Sequence, residues 1–199
     1  MNPFRALLHA SRLWWKEWIG MILLNILWAL LQAPVVTGPP ATAVLYAIAR
    51  KVYDDEVWEL PELWTELRRL FWPAWQWALP NLLVGGALVW NFYAFQGAQG
   101  SAWLALRLAW GALLLLWFML NLFYWPFWLA QEDKSVRVTY VNCGRFLLRH
   151  GWAALFLAVV CSLVLTVSLW TAVPLSAGAV CWLALVGETA VRRSLTERR

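Results

Sequence analysis

The sequence predicts an all-α fold, a polytopic transmembrane helical bundle of about six membrane segments in three hairpins, and three observations carry that prediction. First, 62% of the residues are hydrophobic and 14% charged, against roughly 45–50% and about 25% in soluble domains. The surplus has to face lipid. Second, 18 Trp in 199 residues are too many for one core, whereas Trp concentrates at membrane interfaces, where the ring stays apolar and the N–H stays wet. Third, the apolar runs are separated by two kinds of connection, one rich in charge and one without any.

Residues 1–17 are the first expected interfacial helix, with Phe4, Leu7, Leu8, Leu13, Trp14 and Trp15 opposing Arg5, Arg12, Lys16 and Glu17. Basic residues ahead of an apolar run also suit a signal peptide. The run ends in Gln32-Ala33-Pro34 without a small-x-small cleavage site, and further spans follow, so it is read as part of the mature chain.

A first span covers Trp18 to Ala33 and then breaks. Pro34, Thr37, Gly38, Pro39 and Pro40 mark the break, because proline lacks a backbone donor and pushes the preceding residue out of the α region. Apolar sequence resumes to Ala49, giving a helical hairpin or a discontinuous helix. The return arm from Thr37 to Ala49 rises only ~20 Å against a hydrocarbon core of ~30 Å, so it is a tilted partial span or a re-entrant segment.

Residues 50–73 are polar, yet Leu60, Leu63, Trp64, Leu67, Leu70 and Phe71 recur at three- and four-residue steps, the stripe of a second interfacial helix over 58–73. Spans follow at about 74–95, interrupted by Pro80 and Gly85-Gly86, and at about 102–130, which must tilt or protrude. A charged loop at 131–151 carries a third interfacial helix over 136–151, and a last hairpin runs over 152–171 and 177–191. One transmembrane domain, 1–199, accounts for the whole chain.

Three elbows share a pattern. Leu13–Trp18, Leu70–Trp75 and Leu147–Trp152 each place an apolar pair just before a Trp that opens a span. Repeated units of this kind occur in transporters, although any elbow at a membrane surface needs the same residues.

The charges set the sidedness. If residues 18–50 enter and return, every Lys and Arg except Arg107 falls on one face, which the positive-inside rule makes cytoplasmic, with both termini. The connections Pro34–Pro40, Gln96–Ser101 and Thr171–Ala177 then lie outside and carry no charge. Five spans plus a re-entrant loop give the same sidedness. The net charge of +5 therefore reads as membrane orientation rather than nucleic-acid binding.

No catalytic, metal or cofactor site is predicted. His9 and His150 lack ligand spacing, the acids at 54–66 sit on a solvated charged face, and Cys143, Cys161 and Cys181 form no CxxC. No phosphate-cradling glycine motif is present. The polar groups within spans are more informative. Arg107 has to snorkel or pair, with Trp103 and Trp110 placed for cation–π contact. Asn25, Gln32, Asn81, Asn91 and Asn121 are either packing glue between helices or, with Arg107, a polar ligand site facing the break. Glu188 and Arg192 suit an i,i+4 pair on a helix surface.

The stretch Leu30–Ala43, with Leu45-Tyr46 and Arg50-Lys51 after it, resembles the signature of the YesL-like family of bacterial integral membrane proteins, a domain of unknown function. The chain departs from it by one residue missing between Thr37 and Gly38 and by the added Pro40. The resemblance implies a bacterial inner-membrane location and association with carbohydrate ABC transport, as a non-enzymatic accessory or regulatory component. Lipid and transporter or other membrane-protein subunits are then the expected partners. The second expectation is a small-solute binding or transport component of an energy-coupled importer.

Overall fold

In the computed structural model, residues 1–171 and 178–196 are described, and among the described residues there are helices and their connecting turns but no strand. The connection at 172–177 and the tail 197–199 lie outside them. Among the described residues eight helices follow in order: α1 Pro3–Lys16, α2 Trp18–Gln32, α3 Gly38–Tyr53, α4 Leu60–Arg69, α5 Phe71–Ala94, α6 Ser101–Ala130, α7 Val136–Thr171 and α8 Ala179–Thr196.

The three elbows each turn on one residue outside helical geometry. Glu17 (φ −111°, ψ 26°) separates α1 from α2, Leu70 (φ −90°, ψ 1°) separates α4 from α5, and His150 (φ −124°, ψ 31°) kinks α7.

α3 and α8 form the centre. α3 is lined with Ala41, Ala43, Ala47 and Ala49, all buried, and such small side chains let neighbouring backbones close in. α8 is buried from Leu183 to Val191 and packs against α1, α2, α3, α6 and α7. Its closest approach is at Gly187, where an added Cβ would lie 2.5 Å from the Leu122 carbonyl of α6. Only glycine leaves room there. All three cysteines, Cys143 and Cys161 on α7 and Cys181 on α8, are free and buried.

Among the described residues two helices, α6 and α7, are by themselves long and apolar enough to cross a membrane, where the sequence reading expects six membrane segments. α2 is apolar but holds only 15 residues, ~22 Å of helix and short of the ~30 Å core.

The break also sits at a different level from the one expected. Trp75 Nε1, in the second turn of α5, donates to the Val36 carbonyl at 3.1 Å. Phe95, where the next turn begins, lies ~30 Å further along α5. The turns at 34–37 and 95–100 therefore do not share one end of the molecule. The return arm starts at Gly38 with Pro39 and Pro40 in its first turn, where the missing N–H has no helical partner to lose, and continues through Arg50-Lys51 to Tyr53.

Candidate functional site

The break between α2 and α3 is held by side chains. Gln32 Nε2 donates to the Gly38 carbonyl at 3.3 Å, Thr37 Oγ1 to the Leu31 carbonyl at 2.6 Å, and Trp28 Nε1 to Thr42 Oγ1 at 3.0 Å. Pro34 precedes Val35, whose φ of +59° is costly for a β-branched residue. At Gly38 an added Cβ would meet Gln32 Oε1 at 2.7 Å, so the glycine makes room for the staple.

Asn81 and Asn121 meet across α5 and α6 in a reciprocal arrangement. Trp77 Nε1 donates to Asn121 Oδ1 at 2.8 Å and Trp117 Nε1 to Asn81 Oδ1 at 2.9 Å. Each amide nitrogen returns to the carbonyl one turn before it, Asn81 to Trp77 at 2.7 Å and Asn121 to Trp117 at 2.8 Å. Tyr140 of α7 closes the set, donating to Asn121 Oδ1 at 3.2 Å and accepting from Asn81 Nδ2 at 3.5 Å. Both amides thus have partners for oxygen and nitrogen within the bundle. The indoles and Tyr140 are absent from the list of polar span residues read from sequence. The signal was Trp-x-x-x-Asn at 77/81 and 117/121, and Trp-x-x-x-Gln at 28/32, a spacing that puts both groups on one helical face.

The other polar residues lie apart. Asn25 Oδ1 accepts from the Val180 amide at 3.2 Å, capping the start of α8 from a different helix. Asn91 is half-buried and makes no side-chain hydrogen bond among the described residues. Arg107 donates to the carbonyls of Phe95 at 3.0 Å and Gln96 at 3.1 Å, and to that of Ala98, so it caps the end of α5. Trp103 and Trp110, expected over its guanidinium, instead pack on Phe95 with ring centroids 5.1 and 5.9 Å away.

A charged face gathers at the other end, where α3 leads into α4 and α8 finishes. Lys16 pairs with Asp55; Lys51 Nζ reaches Glu62 Oε2 at 2.5 Å, and Arg69 Nη2 reaches Glu66 Oε2 at 2.5 Å. Arg192 is shared: Nε donates to Glu188 Oε1 at 2.9 Å, Nη2 to Asp54 Oδ2 at 2.5 Å, and its guanidinium lies over Tyr53. The Glu188–Arg192 pair is not on a helix surface as expected, since Glu188 is 0% exposed. Burial raises its cost if either partner is lost.

Electrostatics on this face follow from crowding. Burial, then Arg50 and then Arg69, hold the Lys134 ammonium below the usual lysine range. Burial, with Arg193 and Arg12 behind it, lowers His9. The hydrogen bond from Lys16 to Asp55 raises Lys16.

Two hollows flank α4. An apolar cleft of about 450 Å³ lies between α2, α3 and α4, with Leu27, Trp28, Leu31, Val44, Leu63 and Leu67 among its lining residues. A charged cleft of about 300 Å³ lies between α3, α4 and the α6–α7 link, and includes Arg50, Arg69 and Lys134. No group of three or more His, Cys, Asp or Glu able to hold a metal ion occurs among the described residues.

Residues 21–92 match the family model described as a protein of unknown function, DUF624. The matched stretch runs from α2 into the last turn of α5. It contains the break, α4 and the α3 half of the charged face, and leaves out Arg107, Asn121 and Tyr140. No curated protein and no solved structure matches the chain.

Proposed function

We propose that the protein is a non-enzymatic accessory component of a bacterial inner membrane, of the YesL-like kind, that presents its charged face to a transporter partner such as the subunits of a carbohydrate ABC system. One observation carries the membrane part. Trp72 and Trp90 on α5, and Trp152 and Trp170 on α7, are all exposed and stand the same distance apart along their helices, ~27 Å. That is close to the ~30 Å hydrocarbon core that aromatic belts bracket. Between them the surface is apolar, with Leu79, Leu82 and Leu83 on α5 and Leu163 and Val167 on α7 exposed. Water would not tolerate so continuous a patch.

The basic residues support the orientation, with both termini cytoplasmic. Arg69 is one turn before Trp72 and Arg149 lies just before Trp152, whereas Arg107 alone sits at the far end, beside Phe95. The match to a family of unknown function over the break supports the YesL-like reading without adding an activity.

The importer reading rests on the apolar cleft, whose walls suit an apolar solute rather than a sugar. The intramembrane amides favour it less, because Asn81 and Asn121 are already satisfied, each by an indole of the other's helix and a carbonyl of its own. Purification of the tagged protein from its own membranes in a mild detergent separates the two readings. Stoichiometric permease and ATPase subunits are the expected result. A lone chain carrying one saturably bound solute would overturn the accessory reading in favour of the second.

A further inference from the structure

We infer that the charged cleft between α3, α4 and the α6–α7 link binds an anion of the phosphate class, a phosphomonoester or phosphodiester, between Arg50, Arg69 and Lys134. This goes beyond the accessory reading and does not rest on any protein partner.

Four cations and three carboxylates line the cleft, and their partners decide what is left over. Among the acids, Asp54 Oδ2 is taken by Arg192 at 2.5 Å, Glu66 Oε2 by Arg69 Nε at 3.0 Å and Nη2 at 2.5 Å, and Glu56 is exposed at the rim. Of the cations, Lys51 is committed to Glu62. The Arg50 side chain has no ion-pair or hydrogen-bond partner among the described residues, and the one further carboxylate that feels it, Glu188, is already bonded to Arg192. Lys134 donates only to the carbonyls of Trp128 at 2.7 Å and Leu129 at 3.2 Å, and no carboxylate lies within ion-pair distance of it among the described residues. Arg69 keeps its second Nη unused.

Three positive side chains from three separate elements thus converge with too little negative charge among them. The downward shift of Lys134, to which Arg50 and Arg69 both contribute, is a second sign that they face one another. An anion with several oxygens relieves that repulsion, and guanidinium forks match phosphate oxygens in geometry as well as charge. The cleft lies beside Arg69, one turn from the exposed Trp72, the level at which phospholipid headgroups would sit. A headgroup phosphodiester and a soluble phosphorylated molecule offer the same chemistry.

The test uses the full chain in a neutral detergent. Thermal unfolding is followed with inorganic phosphate against chloride at matched ionic strength, and native mass spectrometry compares retention of phosphatidylglycerol with phosphatidylcholine. Saturable binding of either anionic probe is expected: inorganic phosphate identifies a soluble ligand, and phosphatidylglycerol alone identifies a headgroup. Arg50→Gln, which removes no bond within the protein, should weaken binding about tenfold or more, the loss of one charge-assisted hydrogen bond. Lys134→Gln should act in the same direction, while Arg149→Gln, on the exposed surface of α7, should leave binding unchanged. Equal losses for Arg149→Gln and Arg50→Gln, or no preference of either anionic probe over its control, would overturn the inference.

Discussion

Residues 101–118 of α6 contain no buried side chain, whereas Leu122–Trp128 are all buried, although both stretches belong to one continuous apolar helix. The second stretch is hydrophobic all round because α3, α7 and α8 surround it, with Gly187 letting α8 reach its backbone. The first has α5 beside it, through Phe92 and Phe95 against Trp103 and Trp110, touches α7 near its end where Trp117 stacks on Tyr140, and shows much of its remaining surface outward. Composition therefore identifies an apolar helix but not what its apolar surface meets. Protein packing answers that for one half of α6; for the other, the proposed membrane location would supply an apolar solvent.

The sharpest way to break the comparison is to cut the same kind of contact in each half. Phe123→Ala should cost about 3–5 kcal/mol, the usual loss for an aromatic ring in a packed core. Leu108→Ala, in the outward half, should stay within about 0.5 kcal/mol. Unfolding of both variants in one detergent checks the pair, and similar losses would mean that the halves do not differ.

A charge probes the environment instead of the packing. Leu113→Arg should cost about 2.5–3.5 kcal/mol of insertion if that surface lies in hydrocarbon, read as the fraction recovered in membranes. Full recovery in the soluble fraction would place it in water.

Between the halves lies the Asn81–Asn121 set. Asn121→Ala should destabilise by about 1–2 kcal/mol by leaving the Trp77 indole without its acceptor. Combining it with Asn81→Ala should reveal a coupling of about 0.6 kcal/mol, the average for polar pairs between membrane helices. Strict additivity would mean that the two amides act independently.

The smallest effect concerns α1, which packs on α7 and α8, and it comes from pH. His9 has a lowered pKa, so folding favours its neutral form. Its contribution is fully present above the unfolded-state value of about 6.5 and is lost as the pH falls below it. Thermal unfolding between pH 7.5 and 5 should show this acid loss, reduced in His9→Asn; an identical slope in the variant would remove His9 as its source.

Much of this architecture was legible in the residues. The stripe Leu60, Leu63, Trp64, Leu67 marks α4, and the apolar pairs before Trp18, Trp75 and Trp152 mark the three elbows. What periodicity could not supply was depth and partnership. Nothing local indicates that Trp75 reaches back to Val36, and an i,i+4 spacing reveals Glu188 with Arg192 but not its burial, which depends on helices far away in the chain. The amide positions were equally visible as residues to be explained. Their indole partners were legible only to a reader who paired each amide with the Trp one turn before it.

Cys143, Cys161 and Cys181 are the only thiols in the chain, and all three are sealed inside. Toward a maleimide the folded surface is therefore blank without any engineering. A single cysteine placed at Gln96, at Val36 or at Glu56 would be the only accessible reporter of its own surroundings, so the native packing has already prepared the molecule for testing whether these turns face different sides of a membrane.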